Sequence, residues 1–89
     1  MSVTILITLE VADFDTWLVG YTEASAARSA AGISSTAYRN IDNPHAAQVI
    51  GLAPSREAFI AFFSSPEMQE RLKQGGVTAP PVTTFLEEA

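Results

Sequence analysis

The feature that most constrains this chain is the order in which its apolar periods change. Val3, Ile5, Ile7 and Leu9 alternate with Thr4, Leu6 and Thr8 in a period-two run rich in β-branched residues, which reads as a strand. From Phe14 onward the period becomes helical. Phe14, Trp17, Leu18, Tyr21, Ala24 and Ala27 form one apolar stripe. Asp13 is placed to cap that helix, Asp15 suits its positive end, and Gly32 suits its stop. Two short apolar runs, residues 34–41 and 46–53, then flank Asp42-Asn43-Pro44-His45, a set of turn formers, and so predict a hairpin.

A second helical stretch follows. Ser55 caps a segment carrying Phe59, Phe62 and Phe63, and Ser65-Pro66-Glu67 is a fresh helix start. Met68 and Leu72 continue its apolar face to the stop at Gly75-Gly76, and Pro80-Pro81 holds the chain extended into a last strand, residues 82–87. The order β-α-β-β-α-β is that of a split βαβ unit, so the expected class is α+β: a ferredoxin-like four-stranded antiparallel sheet with helices on one face. Residues 1–89 are expected to form one domain.

Such a sheet needs something on its other face. With 89 residues, a chain buries only about 60–65% of the surface its unfolded form exposes, and small domains offset this with disulfides, metals or association. There is no cysteine and only one histidine, which removes disulfides and multi-histidine metal sites. Association remains, and a homodimer is expected. Five basic residues against ten acidic ones give a net charge of −5, with no basic run. That balance argues against nucleic acid and anionic membranes as partners. No 18-residue apolar stretch and no leader pattern is found, so a cytoplasmic protein is expected.

Pairing the hairpin symmetrically about its four turn residues sets Arg39 opposite Gln48 and Ala37 opposite Ile50 on one face. Thr36, Tyr38, Ala47, Val49 and Gly51 then fall on the other. On this register the open face carries Leu6, Val49, Tyr38 and Phe85 amid small residues, Thr4, Thr8 and Thr36 among them. Small side chains there leave room for a cavity between two sheets packed face to face. Tyr38, Thr8 and Thr36 are therefore candidate ligand-binding residues, and Trp17 is a further candidate at the helix start. Tyr38 is either a hydroxyl that orients a bound carbonyl or an interface aromatic. Trp17 is either a pocket wall or core packing. His45 is expected to be an exposed turn residue, Asp13 and Asp15 serve the helix start, and no catalytic residue or metal site is indicated.

Four segments resemble the dimeric α/β-barrel superfamily, the broad group that includes antibiotic-biosynthesis monooxygenase-like domains. They are Val11-Ala12-Asp13-Phe14-Asp15-Thr16-Trp17, Tyr38-Arg39-Asn40-Ile41-Asp42-Asn43-Pro44, Ser64-Ser65-Pro66-Glu67-Met68, and the return Gly76-Val77-Thr78-Ala79-Pro80-Pro81 with Thr84-Phe85-Leu86-Glu87. The resemblance implies a homodimer holding a small apolar, oxygenated molecule between the sheet and its partner. It also implies an activity drawn from cofactor-independent oxygenation, cyclisation or isomerisation, or a non-catalytic dimer module. Haem-binding members place a histidine on a helix or beside the cavity; His45, at a hairpin tip, departs from that pattern, and no cofactor is expected.

Overall fold

The computed structural model describes residues 2–89. Strand β1 (Val3–Glu10) leads into helices α1 (Phe14–Glu23) and α2 (Ser25–Ala30). The hairpin β2 (Ser34–Arg39) and β3 (Ala46–Ala53) follows, then α3 (Arg56–Phe63), α4 (Pro66–Gln74) and β4 (Val82–Leu86). The four strands form one antiparallel sheet in the order β2-β3-β1-β4. This is the ferredoxin-like plan that the order of periods predicts.

The starts of α1, α3 and α4 are capped by the residues expected. Asp13 accepts from the Thr16 N–H at 3.0 Å, Ser55 from Ala58 at 3.0 Å and Ser65 from Met68 at 3.2 Å. The stops at Gly32 and Gly76 have φ of 75° and 78°. In each the glycine N–H and the next N–H bond back to the last helical turn, Gly32 to Ser29 and Ile33 to Arg28, Gly76 to Lys73 and Val77 to Leu72. That double bond pattern requires a left-handed residue, which glycine adopts without steric cost.

The first helix departs from the expected continuous stripe by breaking at Ala24. The Tyr21 carbonyl, which an unbroken helix would give to the Ser25 N–H, accepts instead from Arg28 Nη1 at 2.7 Å and from the Ala24 N–H at 3.3 Å. Arg28 also stacks on the Tyr21 ring, with Cζ 3.8 Å from its centroid. The Arg28 side chain thus makes the shorter of the two bonds to the carbonyl at the break.

The hairpin register also differs from the symmetric one. Tyr38 lies opposite Gln48, Arg39 opposite Ala47 and Ala37 opposite Val49. The turn takes residues 41–45, because Asn40 Oδ1 accepts from the Asp42 and Asn43 N–H groups and Asn43 Oδ1 from that of His45. This one-residue slip moves Ala47, Val49 and Gly51 to the helix side, since side chains alternate between faces. Ala47 and Val49 are buried there with Ile5, Ile7 and Leu9, and Phe85 packs against this core. Arg39 consequently faces Asp15, at 2.8 Å, and covers the Phe14 ring instead of pairing with Gln48.

The helix-free face mixes apolar side chains with small hydroxyl residues. Thr36, Ile50, Leu6 and Thr84 make one row across the sheet, with Ser34, Leu52, Thr4 and Leu86 on one side and Tyr38, Gln48, Thr8 and Val82 on the other. Ile50, Leu52, Val82 and Leu86 are 43–63% exposed. Among the described residues no helix is long and apolar enough to cross a membrane.

Candidate functional site

A cavity of about 70 Å³ lies between the sheet and the helices. Its floor is Ile5, Ile7, Leu9 and Val49; its walls are Trp17 and Tyr21 of α1, Phe59, Phe62 and Phe63 of α3, and Leu72 of α4. The helical period makes these walls. Phe14, Trp17 and Tyr21 recur three and four residues apart, so their rings form one ladder, with centroid separations of 5.5 and 5.2 Å. Phe59 stacks on Phe63 at 5.3 Å and meets Phe85 edge-on at 5.7 Å.

Polar groups gather at one edge. The Tyr21 hydroxyl is 2.6 Å from Ser35 Oγ, a bond that ties α1 to β2. Arg28 stands beside it, and Arg71 of α4 reaches the same cavity from the exposed surface. Loss of water around Arg28 lowers its pKa below the usual guanidinium value, the nearby Tyr21 acting in the opposite direction. Two glycines make room. Gly20 has open space where a side chain would begin, and Gly51 lets the β2 backbone approach so closely that a Cβ there would meet the Ser34 carbonyl and the Ser35 Cα. The arrangement offers an apolar slot with two hydroxyls and two guanidinium groups at its rim, suited to a small molecule whose oxygen lies at one end.

The sequence candidates divide between the two faces of the sheet. Tyr38, Thr8 and Thr36 lie on the helix-free side, where Tyr38 and Thr8 share a cross-sheet row and Thr36 occupies the next. Trp17 is buried on the other side, in the cavity wall. Sheet and core separate it from the other three. The residues not singled out beforehand are Tyr21, Arg28 and Ser35. Tyr21 was legible as a member of the Trp17 stripe, and Arg28 stands seven residues further on, two helical turns away. Nothing local in the sequence points Ser35 at Tyr21.

His45 is exposed, its ring Nδ1 3.2 Å from the Val11 carbonyl oxygen. Asp13 is occupied by its cap. Thr16, through its hydroxyl and then its N–H, holds this carboxyl below its usual value of 3.8. Among the described residues no three histidine, aspartate or glutamate side chains converge on one point. A shallower groove of about 250 Å³ between α4 and Pro80-Pro81 has Glu70 and Lys73 in its walls.

No family model matches this chain, and no curated protein is similar to it in sequence. Its likeness to solved structures is close nonetheless. A Bordetella bronchiseptica protein described as a candidate antibiotic biosynthesis monooxygenase superposes with a TM-score of 0.82 at 16% identity, over 99% of this chain and 97% of that one. A Caulobacter crescentus protein described in the same terms gives 0.78 at 16% identity, over 99% and 90%. SnoaB, a cofactor-independent oxygenase from Streptomyces nogalater, gives 0.74 at 13% identity, over 99% and 95%. The fold is theirs. Antibiotic biosynthesis monooxygenase structures are therefore the architectural frame in which this cavity sits, as the four resembling segments led one to expect.

Proposed function

We propose that this protein is a homodimer that binds a small apolar, oxygenated molecule in the cavity between its helices and its sheet, and oxygenates it with O2 without a cofactor. The observation that carries this is the cavity itself: an aromatic and aliphatic slot with Tyr21, Ser35 and Arg28 together at one edge and Arg71 as a further polar lining group. The likeness of the fold to SnoaB supports the choice of reaction. A methylene flanked by carbonyl groups loses a proton to give a delocalised enolate, which can itself reduce O2. One oxygen atom is kept as a new carbonyl and the other leaves as water, so the substrate supplies all four electrons. Such a reaction needs chiefly desolvation and positioning, which a dry slot with a hydroxyl at its end supplies. The helix-free sheet face, with Ile50, Leu52, Val82 and Leu86 exposed, is the surface a second copy would cover.

One observation favours a non-catalytic dimer module. The cavity, at about 70 Å³, is smaller than the ~150 Å³ of an apolar cavity known to admit benzene. A larger substrate requires α1 and α4 to part or must protrude at the rim. Native mass spectrometry of protein purified from its own host separates the readings when combined with oxygen uptake on a small β-diketone such as 2,4-pentanedione. The oxygenase reading expects a dimer that consumes O2 and yields a product gaining one oxygen and losing two hydrogens. A dimer with no retained molecule and no uptake sinks it and leaves the module; a monomer sinks the dimer in both.

A further inference from the structure

We infer that the cavity selects an anionic ligand: a small apolar carboxylate whose body lies in the aromatic slot and whose oxygens meet Arg28, with Arg71 at the mouth. This deepens the proposal that the cavity is a ligand site and rests on it. The first observation is the distribution of charge. The chain carries ten acidic and five basic residues, yet Arg28 and Arg71 both line this cavity and no aspartate or glutamate does. An acidic protein has placed an unbalanced positive rim on its apolar slot.

The second observation is the state of Arg28. It is half-buried, and its guanidinium makes one hydrogen bond, from Nη1 to the Tyr21 carbonyl oxygen. Five N–H donors are present in that group, so most have no protein acceptor. The one ion pair among the described residues joins Arg39 to Asp15, leaving both cavity arginines without a carboxylate. Glu67, one turn before Arg71 on α4, makes no ion pair with it. A cation held partly out of water without a counter-ion costs free energy, and desolvation does lower the pKa of Arg28. A ligand carboxylate would supply that counter-ion in the two-pronged geometry a guanidinium favours. Tyr21 and Ser35, bonded to each other beside it, provide a hydroxyl able to donate to the same oxygen.

The test uses isosteric pairs that differ in charge, propionate with propionamide and butyrate with butyramide, titrated into the intact protein and followed by amide shifts of Gly20, Tyr21 and Ser35. The expected result is that each carboxylate binds roughly tenfold tighter than its amide, the gain of a charge-assisted contact, and that this preference shrinks at high ionic strength. Arg28→Gln should abolish most of the preference and Arg71→Gln part of it. Equal binding of carboxylate and amide overturns the charge selection while the cavity remains a ligand site. Shifts confined to residues outside the cavity, or none with either pair, overturn the site itself. The wild-type comparison and its salt dependence decide the matter even if a variant fails to fold.

Discussion

Tyr21 Oη and Ser35 Oγ, 2.6 Å apart, link helix α1 to strand β2 at the edge of the cavity, as the Arg39–Asp15 ion pair links them at the far end of β2. Tyr21 is held by the Trp17 ring behind it and the Arg28 guanidinium over it. Ser35 is held by strand pairing to Gly51. The edge of the site is therefore held from both sides where a ligand oxygen would sit.

Tyr21→Phe and Ser35→Ala should each destabilise the protein by about 0.5–1.5 kcal/mol, the usual net worth of a partly buried hydrogen bond. The double variant should cost less than the sum, because either change already removes the shared bond. Urea unfolding of the four proteins measures this; strict additivity would show that the two hydroxyls act independently.

Gly51→Ala should be costly out of proportion to one methyl group. The new Cβ would run into backbone atoms of Ser34 and Ser35, which have no flexible side chain to swing aside. A loss of about 1–3 kcal/mol is expected from overpacking, together with displaced amide resonances along β2. A stability within experimental error of the wild type would mean that β2 shifts freely and does not position Ser35.

Ile50→Glu probes the helix-free face without entering the core. A charge in the centre of that face should convert a dimer to a monomer while leaving helix and strand content unchanged. Sedimentation velocity reads the outcome, and a dimer that survives the substitution would place the interface elsewhere.

Tyr38→Phe distinguishes the two sides of the sheet. Tyr38 is 50% exposed on the face opposite the cavity, so its loss should leave the affinity for a cavity ligand unchanged. A weakened ligand in this variant would move the site to the space between sheet and partner.

Asp13→Ala should show a pH-dependent cost. The bonds from Thr16 keep the folded-state value below the ordinary 3.8, so the unfolded chain takes up the proton more readily than the folded one. The cap's contribution is then complete above that ordinary value and is lost as pH falls through the lower folded-state one. The gap in melting temperature between wild type and variant should accordingly be open at neutral pH and close in strong acid. A gap that does not change with pH would assign the effect to helix propensity alone.

Local chemistry made much of this molecule legible. Asp13, Ser55 and Ser65 cap helices where their side chains predict, and Gly32 and Gly76 end them, because these signals act over one turn of chain. Thr8, Thr36, Tyr38 and Leu6 lie on the helix-free face as expected. Val49, Ala47 and Phe85 do not. Residues 46–53 carry apolar side chains at both parities, so their pattern suits either face, and the choice fell to the Asn40 turn. The hairpin shows how little separates two registers: one added loop residue transfers Val49 to the core and leaves Ile50 outside.

Element order, the capped helix starts, the glycine stops and the existence of an uncovered sheet face were determined by the sequence itself, through periodicity and capping; the break at Ala24 was not. Only the tertiary structure decided that Tyr21, Arg28 and Ser35 share one edge of a cavity. Helical period places Tyr21 on the apolar stripe, but which β2 residue meets it depends on strand register, and register is set by pairing between distant segments.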